Sequence, residues 1–239
     1  MSAFPPTRHS AVVAIRSQNP EERSRGYDAI VAAYWRPAYI HLRHRWAAAP
    51  EDARDLVQGF FADAFEKGTL ERFEPGRARF RTWLRVCLDG YAGHARDAAA
   101  ALKRGGGWTR VALDFDGAER IASGLQVPGA DPDEVFRREW ARSVLEGALA
   151  DLAAYADERD QAAAFQMFMT VDVESDGGAR PTYEELAQAH GLPVTTVTNH
   201  LHRMRREFRR AALERIRALT LDDQEFRDEA RALLGEDPA

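Results

Sequence analysis

The sequence predicts an all-α protein in which two helical domains are joined by an acidic linker. Apolar residues recur at spacings of three and four along nearly the whole chain, whereas the alternation typical of strands is scarce. With 239 residues, 45% of them hydrophobic, the chain is long enough for two small domains with separate cores. Between them, KRGGGWTRVALDFDGAERIASGLQVPGADP combines consecutive glycines, acidic residues and prolines, which is the composition of a linker.

These patterns divide the chain as follows: a first helical domain over residues 1–107, a linker over 108–132, a second domain over 133–219 and an acidic extension over 220–239. The predicted helices cover residues 27–47, 50–67, 78–102, 133–155, 158–170, 183–190, 194–219 and 222–234. The segment VDVESDGGARP is predicted to be an extended loop within the second domain.

The composition favours a cytoplasmic protein with no membrane partner. A single cysteine, Cys87, cannot form an internal disulfide, which agrees with a reducing compartment. No apolar run approaches the roughly 20 residues of a spanning helix, and the N-terminus lacks the apolar region of a signal peptide. Because Cys87 has an apolar helical context and no clear neighbouring base, we expect a structural thiol.

Charge is segregated along the chain, although the formal net charge is only −5. Lys and Arg outnumber Asp and Glu by 18 to 12 in residues 1–110 and by 7 to 4 in residues 181–217. Acidic residues dominate by 15 to 6 in residues 111–180 and by 7 to 2 in residues 218–239. Local charge steers association with polyanions. The two basic blocks are therefore candidate phosphate-binding surfaces, unless their charges only solvate helix faces.

A helix-turn-helix is predicted by TYEELAQAHGLPVTTVTNHLHRMRREFRR, residues 182–210. Gly191 suits the turn, and Pro193 begins the second helix, where its missing N–H is harmless. One stripe of the second helix is apolar: Val194, Val197, Leu201, Met204 and Phe208. In this motif the second helix presents polar residues near its N-terminus to the DNA major groove.

The remaining faces of that helix supply the candidate DNA contacts. Hydroxyl and amide groups can bind base edges, and guanidinium groups can bind phosphates. The candidates are Thr195, Thr196, Thr198, Asn199, His202, Arg203 and Arg206, with Arg205, Arg209 and Arg210 as further phosphate contacts. An amphipathic helical hairpin that packs on another protein would show the same pattern, so the segment alone leaves both interpretations open.

The first basic block joins an acidic and apolar helix to a segment of arginines and aromatics. In PEDARDLVQGFFADAFEKG, the apolar side chains share one broad face, and early acidic residues suit the positive end of a helix. The segment LERFEPGRARFRTWLRVCLDGYAGHARD follows. It interleaves rings with cations: Arg77, Arg79, Phe80, Arg81, Trp83 and Arg85. Bases stack on rings while arginines hold the backbone, which suits single-stranded nucleic acid, although such rings more often belong to a core.

The order of these parts resembles a known family. DARDLVQGFF, FEPGRARFRTWL, the acidic linker and TYEELAQAHGLPVTTVTNHLHRMRREF together resemble the extracytoplasmic-function (ECF) group of bacterial RNA polymerase sigma factors, over nearly the whole chain. FPPTRHSAVVAIRS, AYWRPAYIHLRHR, KRGGGWTRVALD and VFRREWARSVLEGAL are similar to a subgroup often encoded near serine/threonine kinases. The resemblance implies two helical domains, regions two and four, with a flexible linker. It also implies a protein that is not an enzyme and needs no cofactor or metal, because the chemistry stays with the polymerase.

The resemblance assigns a role to each matching segment. The helix matching residues 52–67 docks on the clamp of the largest polymerase subunit, with Asp52, Asp55, Gln58 and Asp63 as candidate contacts. The loop matching residues 70–79 captures a flipped base of the minus-ten element, and the helix from Phe80 onward supports strand separation. The helix from Val194 binds the minus-thirty-five element. The implied partners are core RNA polymerase and promoter DNA, with an anti-sigma factor or a serine/threonine kinase as a further partner left open.

Further expectations come from the linker and from departures from the family pattern. The linker passes through polymerase channels, where Asp114, Asp116 and Glu119 mimic nucleic-acid charge. Gly59 replaces a frequent glutamate, which weakens the clamp contact, and Asp89 replaces a frequent asparagine in the helix facing melted DNA, where it repels phosphate. The amphipathic tail TLDDQEFRDEARALLGEDPA packs back, binds a partner or acts as a solubilising cap; the sequence leaves these open.

Two other functions compete with this interpretation. A stand-alone helix-turn-helix repressor or activator needs only the C-terminal motif and predicts tight duplex binding without polymerase. A helical metalloenzyme is suggested by His41 and His44, whose spacing permits shared ligation, but no HExxH signature or carboxylate set accompanies them.

Overall fold

The computed structural model describes residues 10–74, 76–99, 113–124, 131–174 and 180–235, and these ranges contain helices but no strand. The helices are α1 Ala11–Ala14, α2 Pro20–Arg45, α3 Pro50–Glu66, α4 Phe80–Ala99, α5 Phe115–Gly124, α6 Pro132–Glu158, α7 Ala162–Phe168, α8 Tyr183–His190, α9 Val194–Ala218 and α10 Asp223–Leu234. A 3-10 turn spans Leu70–Arg72, and a π-helical turn spans Met169–Val173. The prediction of an all-α fold is confirmed.

α2 begins at Pro20, seven residues before the predicted start at residue 27. Asn19 is its N-cap and accepts from the backbone N–H groups of Glu21 and Glu22, and Pro20 occupies the first helical position. The start signal is therefore a polar cap, a proline and two acidic residues, a combination that favours helix initiation. The apolar periodicity is weak there, so a prediction based on periodicity missed it.

The chain forms two compact units, which differ from the predicted domains. Unit 1 comprises residues 1–143 and 216–239, and unit 2 comprises residues 144–215. The divisions lie inside α6 and α9. Helix α10 thus belongs to unit 1, although the tail was predicted as an extension beyond the second domain.

Aromatic packing holds the described core of unit 1 together. Tyr27 of α2 donates from its hydroxyl to the carbonyl of Ala64 in α3 at 3.1 Å. Tyr34 meets the ring of Phe80 edge-on, with 5.8 Å between centroids. Both tyrosines are buried. α2 is therefore the central element that positions α3 and α4.

Part of the predicted linker is a helix packed on α2. Phe115, the first residue of α5, is buried and contacts Trp35 and Tyr39 at centroid distances of 5.3 and 5.4 Å. Glu119 lies 2.7 Å from Arg43 and accepts from the Tyr39 hydroxyl at 2.6 Å. The predicted flexible linker over residues 108–132 therefore contains a helix at Phe115–Gly124, which these contacts hold against α2. The predicted linker positions 108–112 and 125–130 lie outside the described residues.

Unit 2 has its own apolar core, built from α6, α7, α8 and α9. Its buried members are Leu152, Ala164, Met167, Phe168, Val171, Leu186, Ala187, Val197, Leu201 and Met204. Tyr183, Leu192 and Phe208 pack partly buried against it. The predicted stripe of the second helix is therefore the core face, except that Val194 is 38% exposed. No helix in the described part of the chain is long and apolar enough to cross a membrane.

Candidate nucleic-acid interface

The helix-turn-helix of unit 2 is held by local hydrogen bonds at each end of α8. Thr182 and Glu185 form a reciprocal capping box, with distances of 2.7 and 3.2 Å. At the other end Gly191 has φ 65°, and the N–H groups of Gly191 and Leu192 donate to Gln188 and Ala187. This is the paired hydrogen-bond pattern of a Schellman motif, which requires a left-handed residue that glycine supplies without strain. α8 and the turn match the predicted residues.

The N-terminal half of α9 presents a polar surface to solvent. Thr195, Thr198, Asn199 and His202 are exposed, and Thr196 and Arg203 are half-buried. The Thr198 hydroxyl donates to the carbonyl of Val194 at 3.0 Å, so its oxygen remains free to accept. Hydroxyl and amide groups on the first turns of a helix are what major-groove recognition uses.

The arginines of α9 divide into engaged and available side chains. Arg205 binds Asp172 at 2.9 Å and Tyr183 at 3.1 Å, so it fastens α9 to the preceding elements. Arg210 pairs with Glu207 and Glu214, and Arg206 lies 3.2 Å from Glu207. Arg203 has no ion-pair or hydrogen-bond partner within the described ranges. Arg203 is thus the arginine best placed to bind a phosphate.

The predicted single-strand surface of unit 1 lies at the start of α4, and the structure corrects it at Phe80. This ring is fully buried and contacts Phe73 at 5.2 Å, so it cannot stack on a base. Trp83 is half-buried and packs on Phe73 at 5.5 Å, which leaves part of its ring accessible. Arg77 is 85% exposed at the side chain, with Glu74 at 3.6 Å.

The other arginines of this surface are ion-paired within the chain. Arg81 lies 2.6 Å from Glu229 of α10, and Arg79 lies 3.5 Å from the same carboxylate. Arg85 pairs with Asp89 at 2.8 Å and with Asp133 at 3.1 Å. We call Arg79, Arg81 and Arg85 the α4 arginine cluster. These acidic partners were not predicted from the sequence, although Glu225 and Glu229 share a face of the amphipathic tail helix with the apolar Phe226 and Ala230.

Asp89 is part of a hydrogen-bonded network, not a free negative charge facing DNA. It accepts from Nε2 of His41 at 2.8 Å, Nε1 of Trp46 at 2.7 Å and Nη1 of Arg85 at 2.8 Å. Burial alone would raise the pKa of Asp89, but the hydrogen bonds from His41 and Trp46 outweigh it and lower that pKa. The expectation that Asp89 repels phosphate is therefore wrong, because Asp89 is a structural anion with cationic neighbours.

The candidate polymerase contacts lie on α3. Asp52 and Asp55 are exposed and have no partner among the described residues. Asp63 pairs with Lys67 at 2.5 Å, and Gln58 is half-buried. A β-carbon at Gly59 would lie 2.4 Å from the Tyr91 hydroxyl oxygen. The absence of a side chain at Gly59 is therefore explained by packing, because it leaves space for the Tyr91 side chain between α3 and α4.

The acidic residues of the predicted linker are engaged in unit 1. The side-chain hydrogen bond from Arg43 is the main reason that the pKa of Glu119 falls to about 2. Asp116 lies 3.5 Å from Arg54, and Asp114 accepts from the backbone N–H of Gly117. Glu119 is therefore unavailable as a mimic of nucleic-acid charge while α5 is docked.

Two further candidate groups from the sequence are the paired histidines and Cys87. His41 is buried against Asp89, and no cluster of three or more potential metal ligands occurs among the described residues. Burial raises the pKa of the Cys87 thiol to about 11, so the thiolate form is disfavoured.

Comparison of the chain with protein-family models, curated proteins and solved structures gives no significant match in any of the three.

Proposed function

We propose that this chain is a sigma factor that binds core RNA polymerase and directs transcription initiation at specific promoters. The observation that carries the proposal is the polar surface at the start of α9, where Thr195, Asn199 and His202 are exposed beside the unpaired Arg203. A helix-turn-helix with this surface fits a DNA major groove. Further support comes from α3, where Asp52 and Asp55 are exposed and free to contact a basic partner surface.

The proposal assigns duplex recognition to α9 and the polymerase contact to α3, with the exposed part of Trp83 and the α4 arginine cluster meeting the melted strand. Catalysis belongs to the polymerase. An anti-sigma factor or a serine/threonine kinase remains a predicted additional partner.

The test is association with bacterial core polymerase, followed by run-off transcription from a library of genomic promoters with the reconstituted holoenzyme. We expect co-elution with the core enzyme and initiation at a restricted promoter set. Asn199→Ala should cost roughly 1–3 kcal/mol in promoter affinity and relax sequence preference. Gln188→Ala, which removes an exposed amide from α8 instead, is the matched control and should leave transcription unchanged. Folded protein that fails to bind core enzyme would refute the proposal.

A stand-alone helix-turn-helix regulator is the second candidate, and one observation favours it. The α4 arginine cluster is paired with the chain's own carboxylates, including Glu229 and Asp133, so the surface that a sigma factor needs for melted DNA is occupied. This candidate predicts tight, sequence-specific duplex binding without polymerase. Binding of promoter fragments with and without core enzyme distinguishes the two.

A further inference from the structure

Helix α10 covers the basic start of α4 in unit 1. Glu229 makes the central contact, and its side chain is only 3% exposed. One carboxylate oxygen lies 2.6 Å from Nε of Arg81, and the other lies 3.5 Å from Nη1 of Arg79. The Arg81 guanidinium also lies over the Trp140 ring, 5.5 Å from its centroid. A buried carboxylate therefore neutralises two cations that the sequence predicts as phosphate contacts.

Glu225 makes a second contact one helical turn earlier. Its Oε1 accepts from the backbone N–H of Phe80 at 2.5 Å, and its Oε2 accepts from Leu221 at 3.0 Å. Burial raises the pKa of Glu225, and the nearby charge of Glu229 adds to the effect. The two carboxylates thus repel each other and are held in place by the cations and amides that they face. Guanidinium and backbone amide groups bind phosphate oxygens in the same way.

We propose that α10 is an internal competitor for the nucleic-acid surface of α4 and must move aside before that surface binds single-stranded DNA. The identity of this ligand rests on the proposed function, whereas the occlusion itself rests on the contacts of Glu225 and Glu229. The displaced carboxylates and the incoming phosphates use the same donors, so docking of α10 and binding of DNA exclude each other. In the docked state Arg79 and Arg81 are shielded from non-specific attraction to polyanions.

The attachment of α10 is limited enough to be reversible. Its buried apolar side chains are Phe226, which is 8% exposed, and Ala230, and Leu233 and Leu234 are half-buried. Arg217 of α9 pairs with Asp223 and lies 3.7 Å from the centroid of the Phe226 ring. A helix of 12 residues is marginal on its own in water. Once released, α10 is therefore expected to lose its helical hydrogen bonds. Its release can then be measured as faster amide hydrogen exchange.

The test measures binding of a fluorescent single-stranded oligonucleotide to the full chain without polymerase, by anisotropy. Glu225→Gln combined with Glu229→Gln keeps the size of both side chains and removes both charges. We expect this double variant to bind roughly tenfold more tightly than the wild type. Adding Arg81→Ala should abolish the gain. Asp228→Asn is the matched control, because it removes one charge from α10 at a side chain whose hydrogen bond, among the described residues, is to Gln224 and not to α4; it should leave the affinity unchanged.

Equal affinity of the double variant and the wild type, with equal thermal stability, would overturn the proposal. So would an equal gain from Asp228→Asn, since that would show a general charge effect. If the double variant unfolds at a lower temperature than the wild type, its affinity cannot be interpreted. Hydrogen exchange of the wild type then tests whether oligonucleotide displaces α10. Amides of residues 225–234 must then exchange faster when excess oligonucleotide is added, and unchanged protection rejects the competitor.

The outcome is separable from that of the proposed function. Wild-type protein that does not bind core polymerase refutes the sigma-factor proposal, whatever the oligonucleotide result. Polymerase binding combined with unaltered single-strand affinity of the double variant refutes only the role of α10.

Discussion

Replacing Arg203 with alanine should weaken duplex binding uniformly across DNA sequences and reduce its salt dependence. Arg203 is half-buried on α9 and has no ion-pair or hydrogen-bond partner within the described ranges, so its charge is available to a phosphate. Each phosphate neutralised contributes about 0.9 to the slope of log affinity against log salt. Between about 50 and 200 mM salt, the variant should therefore lose roughly threefold less affinity than the wild type.

Arg205→Ala is the matched control, because Arg205 lies two residues away on the same helix but its guanidinium group already binds other residues of the chain. It binds Asp172 at 2.9 Å and Tyr183 at 3.1 Å, and its side chain is 41% exposed. A partly exposed pair of this kind stabilises by roughly 0.2–1 kcal/mol. We expect Arg205→Ala to lower the free energy of unfolding by that amount and to leave the salt slope nearly unchanged.

The assay is fluorescence anisotropy of a labelled mixed-sequence duplex over a salt series, with urea denaturation of each variant alongside. A salt slope that is identical for Arg203→Ala and the wild type would contradict the assignment. A larger change for Arg205→Ala than for Arg203→Ala would show that engagement in the folded chain does not govern which arginine binds DNA.

Three further predictions concern stability, measured by urea denaturation. Gly191→Ala should cost roughly 1–2 kcal/mol from backbone strain alone, because φ is 65° and a β-carbon would meet nothing within 4 Å; a neutral result would contradict the left-handed cap. Gly26→Ala should cost about 1–3 kcal/mol, because a β-carbon would lie 2.9 Å from the backbone oxygen of Ala11. Gly90→Ala, at a helical site with open space, is the control for both and should be neutral or stabilising. The pKa of Glu119 is lowered to about 2 by Arg43, so this pair contributes stability above the usual carboxyl pKa that is lost as pH falls toward 2. Glu119→Gln should remove about 1–2 kcal/mol at neutral pH and flatten this acid dependence. Acid unfolding is followed by intrinsic tryptophan fluorescence, and an unchanged acid profile would exclude the pair as its cause.

The helix-turn-helix could be predicted closely because its determinants are local. The capping box of Thr182 and Glu185, the left-handed Gly191 and the initiating Pro193 lie within a dozen residues. Each acts through hydrogen bonds or backbone preferences of its immediate neighbours. The apolar stripe of α9 indicates which face of that helix packs against the core. The local signals and this stripe together therefore predict the helices and the face of α9 that is exposed.

The packing of the acidic segments could not be predicted, because it depends on partners far away in the chain. Glu119 meets Arg43 across 76 residues, and Glu229 meets Arg81 across 148 residues. The amphipathic pattern of the tail indicates a helix with a buried face. It does not indicate which surface buries that face, so Glu229 was predicted only as part of an acidic tail.

The regional charge of a chain therefore overstates its attraction for nucleic acid, since a paired arginine no longer presents an unbalanced charge. Residues 1–110 carry six more basic than acidic residues. However, Arg81 is ion-paired with Glu229, and Arg85 is ion-paired with Asp89 and Asp133. Arg203 remains unpaired in unit 2. The free protein should thus attract duplex DNA mainly through α9. We expect single-strand binding to become favourable only once the carboxylates of α10 are displaced. On that proposal, duplex recognition would precede recognition of the melted strand.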